Sequence, residues 1–211
     1  MSDYSKLHHL SDKACISGVG QTDFSKASGR SVAALALQAS RAAISDAGLK
    51  PPDIDAILPY AVGPSADEMA AQLGIADLRY SSMIKMGGAT PVANLLVAAM
   101  LIETGVAKNV LMFCARNGRS GARVDARMGV MPGQTFRRDF EHPYGWTVPG
   151  QWYAMLARRH MIEFGTQREA AADFALAMRR HANLNPNAMM FDTPMTRDDY
   201  LQSRPVYDPF L

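Results

Sequence analysis

Two adjacent apolar segments near the middle of the chain limit its fold more than any other feature. The segment 92–104 (VANLLVAAMLIET) is apolar on nearly every face until Glu103, and a helix of that composition is expected to be buried on all sides. The segment 109–115 (NVLMFCA) is a continuous apolar strand, typical of the centre of a sheet that is covered on both faces. Together they predict a layered α/β protein with helices on both sides of a sheet.

The other segments before residue 118 alternate between strand and helix patterns. The helix pattern at 31–48 has an apolar stripe at three- and four-residue steps, and a glycine and two prolines end it. Strands are predicted at 15–20, 54–62 and 80–86, and a short helix at 66–73. The resulting order of strand and helix is that of an α/β domain.

The composition changes at Asn117, where a region rich in glycine and arginine begins. It runs to Gly150 without a sustained period, which predicts a long loop region with a function or a subdomain of its own. Helices are then predicted at 151–164, at 167–182 after a capping-box sequence that begins at Thr166, and at 197–203 after Thr196. We predict three parts: a core at 1–118, a loop domain at 119–202, and the start of a return strand at 203–211.

Charge and hydropathy exclude several classes of protein. The net charge is only +2, which argues against a general nucleic-acid surface and a polybasic membrane anchor. The longest apolar run, 95–102, is far shorter than the roughly 20 residues that span a bilayer. The isolated Cys15 and Cys114 predict two buried thiols in a reducing compartment, without a disulfide or a metal site. We therefore expect a soluble cytoplasmic protein with neither a nucleic acid nor a membrane as partner.

Several motifs, in the same order along the chain, resemble the thiolases related to lipid-transfer proteins. The first is ISGVGQTDF at 16–24, and the second is AISDAGL at 43–49 followed by IDAI at 54–57. The others are YGW with ARRHM inside 144–161, RRHANLNPNAMM at 179–190, and SRPV at 203–206. The resemblance covers almost the whole chain.

The resemblance implies a five-layered fold of two similar βαβαβαβ halves, of which the first carries a loop domain. The chain matches that first half. The second half, which supplies a histidine motif and a further cysteine or tyrosine, is expected to be missing from a truncated product or to be carried elsewhere. The family also implies a homodimer that pairs through a sheet edge near Asn109–Ala115.

In this family the nucleophilic cysteine comes just before the buried helix, where lipid-transfer thiolases read NCATG. Here the sequence reads Gly87-Gly88-Ala89-Thr90-Pro91, so the alignment places Gly88 at the position of the cysteine. Thr90 is predicted as the N-cap and Pro91 as the first helical residue. Glycine at this position leaves the helix N-terminus open to an anion or a carbonyl oxygen and makes room beside the reacting carbon.

Relatives with a GGA sequence at this point are similar to this chain, and they include aldolases that shorten steroid side chains as CoA thioesters. They work with a small OB-fold partner of the DUF35 type. The resemblance therefore implies retro-aldol cleavage of an acyl-CoA, with CoA as part of the substrate and no covalently bound cofactor or metal. Two alternatives stay open: a non-catalytic subunit that binds acyl-CoA or lipid, and an acyltransferase whose catalytic residues lie outside the chain.

Further candidate site residues flank the glycine motif or lie in the loop region. Gly87, Ala89 and Thr90 would contact the substrate beside Gly88. Arginines between 116 and 138, above all Arg123 and Arg127, could bind the CoA phosphates, or they could belong to a solvated loop.

Aromatic residues and one histidine of the loop region complete the candidates. Trp146 and Trp152 could line a tunnel for the acyl or pantetheine group, or form the core of a subdomain. His142 is the candidate acid/base group. Gly18-Val19-Gly20 lacks the third glycine of a dinucleotide fingerprint, which argues against NAD binding.

Overall fold

A computed structural model describes residues 10–60, 62–118 and 135–211 of the chain. These residues form two compact units, 10–118 and 135–211, which we describe separately. The domain boundaries at residues 119 and 203 stay predictions.

The first unit is a three-stranded parallel sheet with helices on both faces. Its elements in chain order are α1 (Val32–Asp46), β1 (Ala56–Pro59), α2 (Ala66–Leu73), β2 (Tyr80–Ser81), α3 (Thr90–Glu103) and β3 (Val110–Phe113). The strand order is β2-β1-β3, and Ala56 pairs with both Tyr80 and Val110. The predicted α/β class is confirmed, although each of these strands is shorter than its sequence pattern.

Alternating side chains of β1 separate two hydrophobic cores. Ile57 points to one face, where it packs in a cluster with residues of α1 and α2 such as Ile44 and Met69. Ala56 and Leu58 point to the other face and pack with residues of α3. The side chains of a strand alternate between its two faces, so a fully buried strand must be covered on both sides. The predicted layering is therefore confirmed.

Asp55, just before β1, joins the starts of two neighbouring strands. Its carboxylate accepts hydrogen bonds from the backbone N–H of Lys108 at 2.9 Å and of Asn109 at 3.0 Å. The residue is only 9% exposed. These charge-assisted bonds fix the entry of β3 beside β1 and account for a buried carboxylate that has no cationic partner among the described residues.

The strand predicted at 15–20 does not form, because this segment is held by α1 and not by the sheet. A side chain at Gly18 would overlap the backbone of Ala43 and Ala47, so the glycine permits close approach to the helix. The backbone N–H of Val19 donates to Asp46 Oδ2 at 2.8 Å. The segment is thus extended but belongs to no strand.

The prediction that the helix at 92–104 is buried on all sides is wrong in the described part of the chain. One face of α3, formed by Thr90, Asn94, Ala98 and Leu101, is buried. Val92, by contrast, is 71% exposed. The spacing of the buried residues matches a single helix face, and the sheet can cover only that face.

The prediction of two buried thiols is also wrong, since Cys15 and Cys114 are both exposed. Cys15 belongs to the segment that forms no strand, and Cys114 lies just beyond the end of β3.

The second unit contains four helices in its described part. They are α4 (Thr135–Phe140), α5 (Pro149–Phe164), α6 (Ala170–Asn183) and α7 (Arg197–Leu201). The three predicted helices are confirmed as α5, α6 and α7. No helix was predicted at α4, because six residues are too few to show a helical period.

A capping box forms at the start of α7, where the sequence predicted only that a helix begins after Thr196. The N–H of Asp199 donates to the Thr196 hydroxyl at 3.2 Å, and the Asp199 carboxylate accepts from the Thr196 N–H at 2.7 Å. The capping box predicted at Thr166 is wrong, because α6 begins only at Ala170. The Thr166 hydroxyl instead pairs with His160 Nε2 at 3.0 Å. Across the described part of both units, no helix combines the length and the hydropathy needed to cross a membrane.

Candidate functional site

The glycine motif forms a single 3-10 turn, Gly87–Ala89, that leads into α3. Gly87 has a φ of 57°, a left-handed conformation that favours glycine. The backbone of Gly88 is not left-handed, and a Cβ atom built there would meet no atom of the described residues within 4 Å. The backbone therefore requires glycine at residue 87 but not at residue 88, where the missing side chain leaves open space.

Thr90 is the residue that holds this turn in place. Its hydroxyl accepts a hydrogen bond from the N–H of Met86 at 3.1 Å and donates one to the carbonyl of Ile84 at 3.2 Å. The residue is fully buried. The prediction that Thr90 is the N-cap is wrong, because α3 begins at Thr90 itself. The Thr90 hydroxyl bonds to the preceding loop, whereas the side chain of an N-cap would accept hydrogen bonds from the first amides of the helix.

Two backbone amides of the turn are free to bind an acceptor. The N–H of Ala89 donates to Met86 at 3.2 Å, and that of Thr90 donates to the carbonyl of Gly87. Within residues 10–60, 62–118 and 135–211, the amides of Gly87 and Gly88 have no acceptor. Free N–H groups at the start of a 14-residue helix attract an anion or a polarised carbonyl oxygen.

Asn94 connects the first turns of α3 to the end of β1. Its side-chain amide donates to the carbonyl of Leu58 at 3.2 Å, and the residue is only 3% exposed. Its Oδ1 has no donor in the described part of the chain. No role was predicted for Asn94, although a single amide side chain within an apolar helix is a signal of a buried polar contact.

A cation lies at the carboxyl edge of the sheet. Arg116 follows β3, and its guanidinium carbon is 4.7 Å from the centroid of the Tyr60 ring, which follows β1. Because the two strands are parallel, their carboxyl ends share an edge. Arg116 belongs to the predicted group of arginines. Arg123 and Arg127 of that group lie outside the described residues.

The thiol of Cys114 is not activated as a nucleophile. Cys114 is exposed as a whole residue, but its thiol is partly buried. That burial raises the pKa of the thiol above its ordinary value, and the positive charge of Arg116 offsets only part of the rise. The thiolate is the reactive form of cysteine, so a raised pKa lowers reactivity. The only other cysteine of the chain is Cys15.

Two candidate residues of the second unit, His142 and Trp152, lie in or beside one short cluster. The Arg137 guanidinium stacks on the Trp152 ring at 3.8 Å and pairs with Glu141 at 3.3 Å. His142 follows Glu141 directly. The atoms His142 Nε2 and Trp152 Nε1 are buried and have no hydrogen-bond partner among the described residues.

Trp146 belongs to a different feature, a groove of the second unit that also contains Met155 and Tyr207. The structure thus brings Gly87, Gly88, Ala89 and Thr90 together in one turn. The Trp146 side chain lines the groove, while its backbone N–H donates to the carbonyl of Glu141 at 3.2 Å. Among residues 10–60, 62–118 and 135–211, no three His, Cys, Asp or Glu side chains are grouped so that they could hold a metal ion.

Comparison with known proteins adds close sequence relatives, although no family model matches the chain. The chain is 37% identical over 205 residues to a steroid side-chain-cleaving aldolase of Thermomonospora curvata, covering 95% of this chain and 52% of the relative. It is also 37% identical over 205 residues to a 17-hydroxy-3-oxo-4-pregnene-20-carboxyl-CoA lyase of Mycobacterium tuberculosis, covering 95% of this chain and 53% of that protein. An acetyl-CoA acetyltransferase of Methanothermobacter thermautotrophicus is 31% identical over 202 residues, with 91% of this chain and 50% of that protein covered.

Solved structures give the same relationship. The "Ltp2-ChsH2(DUF35) aldolase" superimposes with a TM-score of 0.87 at 37% identity, covering 95% of this chain and 51% of that one. A monomeric SCP2-thiolase-like protein of Mycobacterium smegmatis has a TM-score of 0.66 at 21% identity, with 92% of this chain and 41% of that one covered, and it supports the fold alone. The chain therefore spans about half the length of the curated relatives that it matches.

Proposed function

Because this chain belongs to the thiolase superfamily and is related to its steroid side-chain aldolases, we propose that it is part of a lyase that cleaves a carbon–carbon bond in an acyl-CoA thioester. The observation that carries the proposal is the Gly87–Ala89 turn. Just before α3 it offers two amides, those of Gly87 and Gly88, that have no acceptor among the described residues, and at Gly88 it has no nucleophilic side chain.

The turn suits a reaction that passes through an enolate. In a retro-aldol cleavage, a base removes the proton of the β-hydroxyl group, a carbonyl forms at Cβ, and the Cα–Cβ bond breaks. The electron pair of that bond moves onto the thioester oxygen, and the enolate is then protonated at Cα. Amides such as those of Gly87 and Gly88 would stabilise the charge on the oxygen. The products are a ketone or aldehyde and a shortened acyl-CoA.

This chemistry needs no acyl-enzyme. Neither Gly88 nor the Cys114 thiol with its raised pKa supplies an activated nucleophile. His142 is our candidate for the base, because its Nε2 is buried without a partner in the described part of the chain. We assign Arg116, Arg123 and Arg127 to the phosphates of CoA, since guanidinium groups pair well with phosphate.

The partners belong to the same proposal. The structure with a TM-score of 0.87 is of an aldolase with a DUF35 component, so we propose a small OB-fold partner of that type. A homodimer and a cytoplasmic location complete the proposal. An acyltransferase is the second candidate, favoured by the acetyl-CoA acetyltransferase among the relatives.

A product assay tests the proposed function. The natively purified protein, with any partner that co-purifies, is incubated with a β-hydroxyacyl-CoA, and ketone and shortened acyl-CoA are measured by liquid chromatography and mass spectrometry. We expect both products in equal amounts. Substitution of Gly88 by leucine should abolish them without unfolding the protein, because the side chain would fill the open space. Tight binding of the thioester without release of either product would support a non-catalytic binding subunit instead.

A further inference from the structure

Asn94 lies at a position where an amide side chain lowers stability. The residue is 3% exposed and shares the buried face of α3 with Ala98 and Leu101, which pack against β1. Its Oδ1 atom has no hydrogen-bond donor in the described part of the chain. A buried acceptor without a donor destabilises a fold, whereas an apolar side chain of similar size does not. Leucine at this position would therefore give the more stable helix.

The carbonyl to which Asn94 donates does not depend on it. Asn94 Nδ2 donates to the carbonyl of Leu58 at 3.2 Å. On either side of Leu58, the N–H groups of Ala56 and Tyr60 donate to β3. Alternate residues of a strand direct their backbone groups to the same neighbour, so the Leu58 carbonyl also faces β3. The sheet thus provides this carbonyl with a partner, and the bond from Asn94 serves to hold α3.

This bond fixes α3 along the strand in a way that apolar contacts do not. The packing of Ala98 and Leu101 is non-directional, whereas a hydrogen bond weakens steeply when its geometry changes. A slide of one residue would move the helix by about 1.5 Å along its axis. The amide of Asn94 therefore determines where α3 lies relative to β1.

The position of the glycine turn follows from the position of α3. Thr90 lies one helical turn before Asn94 on the same face, and its hydroxyl holds the loop that precedes the helix. Thr90 thus joins the Gly87–Ala89 turn to α3, and Asn94 joins α3 to β1. After β1 comes Tyr60, whose ring contacts Arg116 at the carboxyl edge of the sheet. Together the two polar side chains relate the turn to that edge.

We propose that Asn94 is a positioning residue, which places the amides of Gly87 and Gly88 against the thioester oxygen of the substrate by fixing α3 on β1. The inference rests on the proposed function, in which those amides stabilise the enolate. A misplacement of about 1 Å can lower a rate on the order of 100-fold, and a one-residue slide of the helix exceeds that distance. The amide at residue 94 therefore lowers stability and raises the precision of the turn.

Replacing Asn94 by leucine separates the two effects. In urea unfolding, the midpoint of Asn94→Leu should equal or exceed that of the unsubstituted protein, because the oxygen without a donor is removed. In the ketone-release assay, kcat should fall about 10- to 100-fold while KM stays within about twofold, because the amides act on charge that forms in the transition state. A merely structural side chain would not lower kcat in a protein of equal stability.

Ser40→Ala is the matched control. Ser40 is 2% exposed on α1, and its hydroxyl oxygen is likewise buried without a partner among the described residues. Because α1 packs on the opposite face of the sheet from α3, this side chain does not hold the turn. Ser40→Ala should keep or raise the urea midpoint and should leave kcat unchanged.

Infrared spectroscopy of a bound thioester measures the placement of the amides without catalysis. The probe is acetyl-CoA labelled with carbon-13 at the carbonyl, bound to the natively purified protein. Hydrogen bonds from two amides should shift the carbonyl stretch to lower frequency. We expect this shift in the unsubstituted protein and in Ser40→Ala, and its loss in Asn94→Leu.

The positioning role is overturned if Asn94→Leu lowers the urea midpoint, if it keeps the kcat or the carbonyl shift of the unsubstituted protein, if Ser40→Ala lowers kcat equally, or if the unsubstituted protein shows no shift. The proposed function fails separately. A shift that depends on Asn94 in a protein that releases no ketone would refute the lyase and leave the positioning role standing. Undiminished ketone release by Asn94→Leu would do the reverse.

Discussion

Replacing Gly87 and Gly88 one at a time by alanine separates the glycine that the backbone requires from the one that leaves space. At Gly87, where φ is 57°, alanine should cost about 1–2 kcal/mol of folding free energy, the penalty of a left-handed conformation for an L-residue. At Gly88 a methyl group meets nothing within 4 Å. There, alanine should stabilise the fold by about 0.4–1 kcal/mol, because it restricts the unfolded chain.

Urea unfolding followed by far-UV circular dichroism measures this difference. We expect the Gly87→Ala midpoint to fall and the Gly88→Ala midpoint to stay level or rise, with the slopes unchanged in both. The two variants should differ by about 2 kcal/mol, the sum of the two central effects. Equal stability of the two variants would refute the distinction, and a large loss in Gly88→Ala would show that the space at Gly88 is not open.

Three further predictions concern the first unit and its thiol. Gly18→Ala should destabilise the protein by about 1–3 kcal/mol, because the methyl group overlaps the backbone of α1, whereas Gly118→Ala, with no described neighbour within 4 Å, should be nearly neutral in the same thermal unfolding assay. Asp55→Asn should cost about 1.5–3 kcal/mol in urea unfolding at pH 7, because the charge-assisted bonds to two amides are lost, and an unchanged midpoint would contradict the role of Asp55. With the other cysteine replaced by serine, alkylation of Cys114 by iodoacetamide should reach its half-maximal rate at a higher pH than in an unstructured peptide. Arg116→Ala should raise that pH further, since the guanidinium lowers the pKa; a midpoint at or below the peptide value would refute the desolvation of the thiol.

The elements of this fold that could be predicted from sequence are those with local signals. The helix α1 follows from its apolar stripe and from the glycine and prolines that end it, and α2 from a short helical pattern after Ser65. Ser31, which the prediction placed inside the first helix, is its N-cap and accepts from the N–H of Ala34 at 3.1 Å. The continuous apolar run of β3 correctly indicated a strand with helices on both sides of its sheet.

Features set by distant parts of the chain could not be predicted. The apolar composition of α3 predicted burial on every face of the helix, but only the face that contacts the sheet is buried. The segment at 15–20 has the composition of a strand, yet contacts between its glycines and α1 decide its position.

The candidate site divides in the same way. The resemblance located the Gly87–Ala89 turn, because a motif with fixed spacing precedes the apolar helix. The amides of the turn and the buried hydroxyl of Thr90 depend on local backbone geometry, and the contact between Arg116 and Tyr60 joins residues more than 50 positions apart. A single sequence carries no direct record of such pairs.

Intact-mass spectrometry during turnover of a β-hydroxyacyl-CoA tests most directly whether this protein cleaves its substrate without a cysteine nucleophile. The natively purified protein is mixed with the thioester, and the protein mass and the released ketone are followed over the first turnovers. The account predicts ketone release while the protein keeps its unmodified mass throughout. An acyl adduct on Cys114 or Cys15 that forms and decays as product appears would contradict it, as would thioester binding without any ketone.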